Sequence, residues 1–284
     1  MKKIATIFAV ALSTGSAFAW SDIGHGVIGT IAYRNLTPQV RHRVDALLKI
    51  GVDVKYQNIR MASYWADDWR SQHNETGPWH YKDVFWRADG KPTSLKPDEE
   101  NVVFAINKFE TQFKDKKSTQ AQRAEALRFI LHFVGDAHQP LHAESRVTDK
   151  LPNGDRGGND FSITPGTVLP DWNTNLHRVW DAGCTLFATP MRLWESGADA
   201  AVEKIADQIT AKYSMTSLSN DVKDLNPEDW VQSGYKVSKD FCYTTPEGKT
   251  PDANYITKGK DICMRRAALA GYRLAAILNK LLKM

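Results

Sequence analysis

The sequence predicts a mainly α-helical single domain over residues 20–284, with one short β-hairpin. Apolar residues recur with a helical period in four long segments, strict alternation occurs in only one short stretch, and neither a repeat nor a linker divides the chain. With 42% hydrophobic and 25% charged residues, the 284-residue chain has a globular composition and can bury a core. A multi-span membrane protein is excluded, since the one continuous apolar run is at the N-terminus.

Residues 1–19 have the pattern of a secretory signal peptide. Lys2 and Lys3 precede an apolar run over residues 4–12, and the small-x-small sequence Ala-Phe-Ala at residues 17–19 is typical of a cleavage site. The run is too short for a bilayer-spanning anchor. Cleavage would leave Trp20 as the mature N-terminus, so the sequence predicts a secreted or periplasmic protein.

Periodicity predicts four long helices. Thr37 and Pro38 form an N-cap and a first helical position ahead of the first of them. We interpret the four apolar faces as core faces rather than binding faces. In chain order they consist of Val40, Val44, Leu47 and Leu48; Val102, Ile106, Phe109 and Phe113; Leu127, Ile130, Leu131 and Val134; and Leu269, Tyr272, Ala276, Leu278 and Leu282.

One segment alternates as a strand does. Phe161 and Ile163 alternate with polar residues before a Pro165-Gly166 turn, which predicts a short hairpin within residues 160–169. A longer stretch around it, residues 145–172, predicts a mobile loop.

Three cysteines can form at most one internal disulfide in an oxidising compartment. Of the three pairings among Cys184, Cys242 and Cys263, we expect the pair nearest in sequence, Cys242 with Cys263. The alternative is three buried, unpaired thiols.

Two histidine–aspartate pairs at helical spacing predict metal binding. His132 and Asp136 are four residues apart, as are His177 and Asp181, so each pair projects from one helix face. His142 follows the first pair after a helix-ending proline. Imidazole and carboxylate ligands presented in this way are typical of zinc sites, whereas one such pair alone is a common chance occurrence.

Two further places carry related chemistry. Asp67 and Arg70 share a helix face, which puts a cation beside a carboxylate where an anionic substrate can dock, although a solvent-exposed salt bridge has the same spacing. His80 lies between Trp79 and Tyr81 and by itself could be a structural histidine. At the mature terminus, the amino group and carbonyl oxygen of Trp20 can chelate a metal ion, with His25 as the next ligand. We expect His138 to pack or support a ligand, and His42 and His73 to be solvated.

In this order these motifs resemble the zinc-dependent single-strand nuclease and 3′-nucleotidase family of fungi and plants. The resemblance covers essentially the whole mature chain. It is carried by Trp20…His25, Trp65-Ala66-Asp67, Trp79-His80-Tyr81, His132-xxx-Asp136-xxxxx-His142 and Asn175-Leu176-His177-xxx-Asp181.

The resemblance implies a trinuclear zinc centre. It assigns one ion to Asp67, His80, His132 and Asp136, a second to His142, His177 and Asp181, and a third to Trp20, His25 and Asp136. Nine residues are also too many for one four-coordinate ion, and neutral imidazoles with carboxylates suit zinc better than magnesium. Asp68 directly follows Asp67, so the choice between these carboxylates rests on the Trp-Ala-Asp match.

The function implied is hydrolysis of phosphodiester bonds in single-stranded DNA and RNA by a metal-bound hydroxide, leaving 5′-phosphates, with 3′-nucleotidase activity. Asp67, Arg70 and Asp136 would be catalytic, and Tyr81 and Asp83 would stack on and hydrogen-bond to a base. The formal charge falls from +4 to +2 when Lys2 and Lys3 are removed, which does not favour a duplex-tracking protein. We expect a monomer that does not insert into membranes.

Two other functions fit the same ligands. Zinc-dependent phospholipases C share the metal-site plan, so the substrate could be a phospholipid. A secreted zinc-binding protein without catalysis is the second alternative, although storage needs neither Arg70 nor a bridging carboxylate.

Overall fold

A computed structural model describes residues 20–283; the expected signal peptide, residues 1–19, lies outside the described residues. α-helices and 3₁₀ helices account for 57% of the described residues, which confirms the mainly α-helical class. Within residues 20–283 the α-helices are α1 (Asp22–Arg34), α2 (Pro38–Leu48), α3 (Ile59–Arg70), α4 (Val102–Lys114), α5 (Gln120–Asp136), α6 (Leu176–Asp181), α7 (Ala198–Lys212), α8 (Ser219–Val222), α9 (Pro227–Asp240) and α10 (Ala253–Leu281).

The four helices predicted from periodicity are present as α2, α4, α5 and α10. Thr37 caps α2 by accepting a hydrogen bond from the Val40 amide, 3.3 Å away, with Pro38 at the first position. The apolar faces of α4 and α5 pack on each other, and α1 packs between α3 and α10. One continuous hydrophobic core therefore joins the helices that carry the candidate ligands.

The strands differ from the expected hairpin. β1 (Val84–Arg87) and β2 (Glu144–Val147) form a two-stranded parallel sheet, in which Val84 pairs with Glu144. Phe161 and Ile163 are buried, as alternation predicts, but they do not pair across the Pro165-Gly166 turn. Their backbones bond instead to the chain just before α6: the Ile163 amide donates to Thr174 and the Phe161 carbonyl accepts from Leu176, both at 2.9 Å. The hairpin prediction was wrong because alternation reports burial and not the partner strand.

Residues 148–175 contain no α-helix, yet a buried carboxylate organises their first half. Asp155 accepts hydrogen bonds from the backbone amides of Arg146 and Gly158, at 2.9 and 3.1 Å. The mobility expected for this loop stays a prediction.

All three cysteines are buried free thiols, so the expected Cys242–Cys263 disulfide is not formed. Cys242 begins a short 3₁₀ turn, and its Sγ lies 3.8 Å from the Val237 carbonyl oxygen in α9. Cys184 packs against α10 at Gly259. Closeness in sequence therefore does not select a pair, and the structure agrees with the alternative of three buried thiols.

No helix within residues 20–283 combines the length and the apolar composition that crossing a bilayer requires.

Candidate metal centre

Four helices and two 3₁₀ turns bring the predicted ligands into one buried cluster. α1 supplies His25, α3 supplies Asp67, α5 supplies His132 and Asp136, and α6 supplies His177 and Asp181. The turns Asn74–His80 and Pro140–Ala143 supply His80 and His142. Each of these eight side chains is buried, and within the described chain they fall into three groups able to hold a metal ion. The groups are His25, Asp67 and His132; His80, His132 and Asp136; and His142, His177 and Asp181, so that His132 belongs to the first two.

Asp136 lies close to the imidazoles of both groups that share His132. One carboxylate oxygen, Oδ1, is 3.3 Å from His25 Nε2, while the other, Oδ2, is 3.0 Å from His80 Nδ1 and 3.2 Å from His132 Nε2. Asp67 Oδ1 is 3.7 Å from His132 Nε2 and 3.8 Å from His80 Nδ1. The two oxygens of Asp136 thus face different imidazoles, as a bridging carboxylate must.

The remaining group lies at the start of α6. His142 Nε2 is 3.2 Å from His177 Nε2, and His177 Nε2 is 3.5 Å from Asp181 Oδ1. The i, i+4 spacing within α6 brings His177 and Asp181 together, and the 3₁₀ turn after α5 places His142 next to them.

Backbone carbonyls fix the proton positions of three imidazoles. The Nδ1 atoms of His132, His142 and His177 lie 2.8, 2.7 and 2.7 Å from the carbonyl oxygens of Ser63, His80 and Gly157. Because a carbonyl only accepts hydrogen bonds, each Nδ1 carries a proton, and each ring in its neutral form presents a lone pair at Nε2. The Nε2 atoms of His142 and His177 therefore face each other as two acceptors, an arrangement that a shared cation satisfies.

Several buried polar atoms of the cluster have no hydrogen-bond partner. They are both ring nitrogens of His25, both carboxylate oxygens of Asp67, Nε2 of His80 and Oδ1 of Asp136. Leaving such groups unpaired in a protein interior costs about 1–3 kcal/mol each. Metal coordination removes that cost, and a set of neutral imidazoles and carboxylates fits zinc.

The electrostatics of the cluster favour cation binding. Burial lowers the pKa of His25 to about 4 and that of His80 to about 3, so both rings are neutral ligands at neutral pH. Burial raises the pKa of Asp67 to about 6 and that of Asp181 well above its ordinary value. For Asp136 burial acts in the same direction, but the charge and hydrogen bond of His132 outweigh it and hold the pKa well below its ordinary value.

Trp20 and Ser21 contact the backbone at or next to two of the predicted ligands, Asp136 and Asp181. Its indole Nε1 donates to the Gly135 carbonyl at 2.9 Å, and the Ser21 amide donates to the Asp181 carbonyl at 2.9 Å. A free amino group at Trp20 exists only after cleavage behind Ala19, so its ligand role stays a prediction.

The other predicted site residues border the cluster. Arg70 Nη2 is 3.6 Å from Asp67 Oδ1, and the Arg70 side chain is 12% exposed. Tyr81 and Asp83 are half-buried next to the cluster, since the Lys82 amide between them donates to the His142 carbonyl at 2.8 Å. Burial, with the charges of Asp155 and Asp98, raises the pKa of Asp83 to about 7.

Asp68 and the three remaining histidines lie outside the cluster of predicted ligands. Asp68 points away from the cluster, 3.3 Å from Lys55 Nζ, and accepts from the Tyr56 hydroxyl. Asp67 is therefore the carboxylate of α3 that faces the histidines. His138 is buried with its Nδ1 on the Val134 carbonyl and its Nε2 on Arg273, at 2.7 and 2.9 Å. His42 is exposed, whereas His73 stacks on Trp69 with ring centroids 3.9 Å apart.

Two supporting residues escaped the sequence reasoning. Gln139 Nε2 donates to Asp181 Oδ1 at 2.7 Å, which joins the end of α5 to α6. Gly157 has φ +62°, and a Cβ there would clash with the Leu141 carbonyl oxygen and lie 3.3 Å from His177 Nδ1. The Gly157-Gly158 doublet was the available sequence signal. The partner of the Gly157 carbonyl, His177, is 20 residues away in sequence, so the doublet alone does not reveal the contact.

The comparisons with known proteins agree with this geometry. The family model described as S1/P1 Nuclease matches residues 20–283. Endonuclease 2 of Arabidopsis thaliana is 28% identical over 92% of this chain and 90% of its own length. Nuclease S1 of Aspergillus oryzae is 24% identical over 98% of each chain, and nuclease P1 of Penicillium citrinum is 28% identical over 57% of each. The chain belongs to the S1/P1 nuclease family.

Proposed function

We propose that this nuclease is a zinc-dependent endonuclease that cuts single-stranded DNA and RNA to 5′-phosphorylated products and also acts as a 3′-nucleotidase. The observation that carries the proposal is the buried cluster of imidazoles and carboxylates, in which six nitrogen and oxygen atoms of His25, Asp67, His80 and Asp136 have no hydrogen-bond partner. Relatives named endonuclease 2, nuclease P1 and nuclease S1 support nucleic acid as the substrate.

Three zinc ions account for the donors better than one. Asp67, His80, His132 and Asp136 would hold the first, His142, His177 and Asp181 the second, and Trp20, His25 and Asp136 the third. Bound zinc lowers the pKa of coordinated water to near neutrality and stabilises negative charge on phosphoryl oxygens, so the chain needs no serine or cysteine nucleophile.

The protein's own residues orient the substrate. Arg70 is held by Asp67 at 3.6 Å, and its guanidinium can pair with phosphoryl oxygens at the rim of the cluster. Tyr81 offers a ring for stacking and Asp83 a carboxyl for hydrogen bonding to a base, both within a few residues of His80. A grip on one or two nucleotides suits unpaired strands, whose bases are accessible.

Two assays test the proposal against its alternatives. The purified protein should hydrolyse denatured DNA, lose this activity in EDTA, and regain it with zinc but not with magnesium. Release of phosphocholine from phosphatidylcholine in place of DNA cleavage would favour a phospholipase C, and tight zinc binding without turnover on either substrate would favour a non-catalytic zinc protein.

The proposal includes export and processing. A free amino group at Trp20 would complete the third zinc site, whereas an amide nitrogen is a poor ligand. A chain with two extra residues before Trp20 should bind one zinc ion fewer than the processed chain and lose most of its activity. Equal zinc content by metal analysis of the two proteins would contradict this role of Trp20.

A further inference from the structure

An exposed aromatic and cationic surface lies outside the site described above. The indole of Trp194 is 53% exposed, although a large apolar side chain gains by burial. The Arg192 guanidinium carbon lies 5.0 Å from the Trp194 ring centroid, and the Tyr64 ring packs against Trp194 with centroids 6.0 Å apart. We name the exposed Arg192 and Trp194, together with the buried Tyr64 that supports the indole, the Trp194 platform.

The platform is adjacent to the metal cluster. Tyr64 lies in α3 three residues before Asp67, so the two share one face of the helix. Asp22, which is 3.4 Å from Arg192 Nε, lies in α1 three residues before His25. Each of these two helices thus carries a cluster ligand and a platform contact one turn apart, on the order of 5 Å along the helix axis.

The segment that carries Trp194 is held in place. The Leu193 amide donates to Asp22 Oδ2 at 2.7 Å, and the Arg192 amide donates to Glu195 Oε2 at 3.2 Å. The Leu193 side chain is buried against Gly26 of α1. The backbone immediately before the exposed indole is therefore anchored.

We propose that the Trp194 platform binds one nucleotide of the substrate strand beyond the two that flank the cleaved linkage. The base stacks with the indole and guanidinium planes, and the Arg192 guanidinium, 56% exposed, pairs with a backbone phosphate. Aromatic and cationic groups side by side suit an unpaired nucleotide, since it offers a flat π surface and a negative charge. This inference rests on the proposed nuclease function and extends it to substrate length.

The kinetic test compares a 20-nucleotide single strand with a dinucleotide, which cannot reach beyond the cut linkage. Trp194→Ala should raise KM for the long strand about tenfold, leave its kcat within about twofold, and change KM for the dinucleotide less than twofold. Trp194→Phe should restore most of the affinity because it keeps an aromatic face. Trp194→Leu should not, because it keeps only apolar volume.

Two variants of Arg192, one without the charge and one that keeps it, test the role of the guanidinium. Arg192→Ala should raise KM for the long strand and reduce its dependence on salt concentration, whereas Arg192→Lys should keep the salt dependence and lose part of the stacking. Circular dichroism and thermal unfolding of each variant separate a folding defect from a binding defect.

Three results would overturn the inference: an unchanged KM for the long strand in Trp194→Ala, an equal rise in KM for the dinucleotide, or full rescue by leucine. Failure of the nuclease proposal is a different outcome, in which the unsubstituted protein cuts neither substrate. In that case, strand binding by the platform is measured by fluorescence anisotropy of a labelled single strand in EDTA. Trp194→Ala should weaken this binding about tenfold relative to Trp194→Phe, and equal binding by the two variants would contradict the inference.

Discussion

Single hydrogen bonds decide what the histidines of this protein can do. An imidazole has two nitrogens, and a carbonyl partner that holds the proton on Nδ1 leaves the lone pair of the neutral ring at Nε2. His132, His142 and His177 all have that partner. The ring orientations therefore aim the Nε2 atoms into the cluster before any ion binds, which reduces the reorganisation needed for metal binding.

The neighbouring carboxylates Asp67 and Asp68 give a residue-scale prediction. Asp67 is buried beside His132, whereas Asp68 pairs with Lys55 at the surface. Asp67→Asn should lower kcat/KM on single-stranded DNA by at least about 100-fold and reduce bound zinc, because it removes a charged ligand. Asp68→Asn should stay within about threefold. Equal losses of activity in the two variants would contradict the assignment of Asp67.

Asp83 gives a prediction on pH. Burial, with Asp155 and Asp98, raises its pKa to about 7, so the folded protein binds a proton that the unfolded chain releases near 3.8. Stability from this group is complete below the unfolded pKa and is lost as pH rises to about 7. Between about pH 5.5 and 7.5, the free energy of unfolding of Asp83→Asn should gain about 1–2 kcal/mol relative to the unsubstituted protein. Urea titrations at both pH values measure the difference, and a pH-independent difference would show that Asp83 is not perturbed.

At the scale of elements, two helices supply pairs of ligands, whereas two other helices and two 3₁₀ turns supply one ligand each. α5 and α6 each present a histidine and an aspartate one turn apart. His80 and His142 come from 3₁₀ turns instead, and their turns are joined where the His142 Nδ1 meets the His80 carbonyl oxygen. The β1–β2 pairing continues that junction, with Glu144 opposite Val84. The small sheet therefore aligns the strand after His80 with the strand after His142.

Gly157 gives a prediction for the loop before α6. Gly157→Ala places a Cβ against the Leu141 carbonyl and displaces the Gly157 carbonyl from His177. Zinc affinity should fall about 10- to 100-fold, as is usual when support of a ligand is lost. Gly51 is the matched control because its φ of +64° is similar and its Cβ would meet nothing within 4 Å. Gly51→Ala should lower stability by about 1 kcal/mol and leave zinc affinity unchanged. Metal titration of both variants measures this contrast.

At the scale of the whole molecule, the proposed ions and the fold would depend on each other. The ligands come from helices and turns between α1 and α6, and the core that holds these helices includes α10. Removing the ions leaves buried carboxylates without compensation, so the apo protein must be less stable.

The global prediction concerns metal removal. Ions bound at about 1,000 times their dissociation constant contribute about 4 kcal/mol each to the folded state, so dialysis against EDTA should lower Tm by at least about 10 °C. Zinc should restore Tm, and magnesium should not, because magnesium prefers oxygen ligands. A Tm that is the same with and without EDTA in calorimetry would mean that the cluster binds no structural metal.

The sequence by itself determined the helical class, the paired ligands of α5 and α6, and the chemistry they suggest. These features depend on local spacing, because an α-helix has 3.6 residues per turn wherever it lies in the fold. Only the tertiary structure decided that Asp67 rather than Asp68 faces the histidines, that residues 161 and 163 pair outside a hairpin, and that three thiols stay unpaired. It also decided that Nδ1 of His132 carries a proton, because the carbonyl oxygen that accepts from it belongs to Ser63, 69 residues away in sequence. Contacts at such separations arise from packing of the whole core, and no local pattern encodes them.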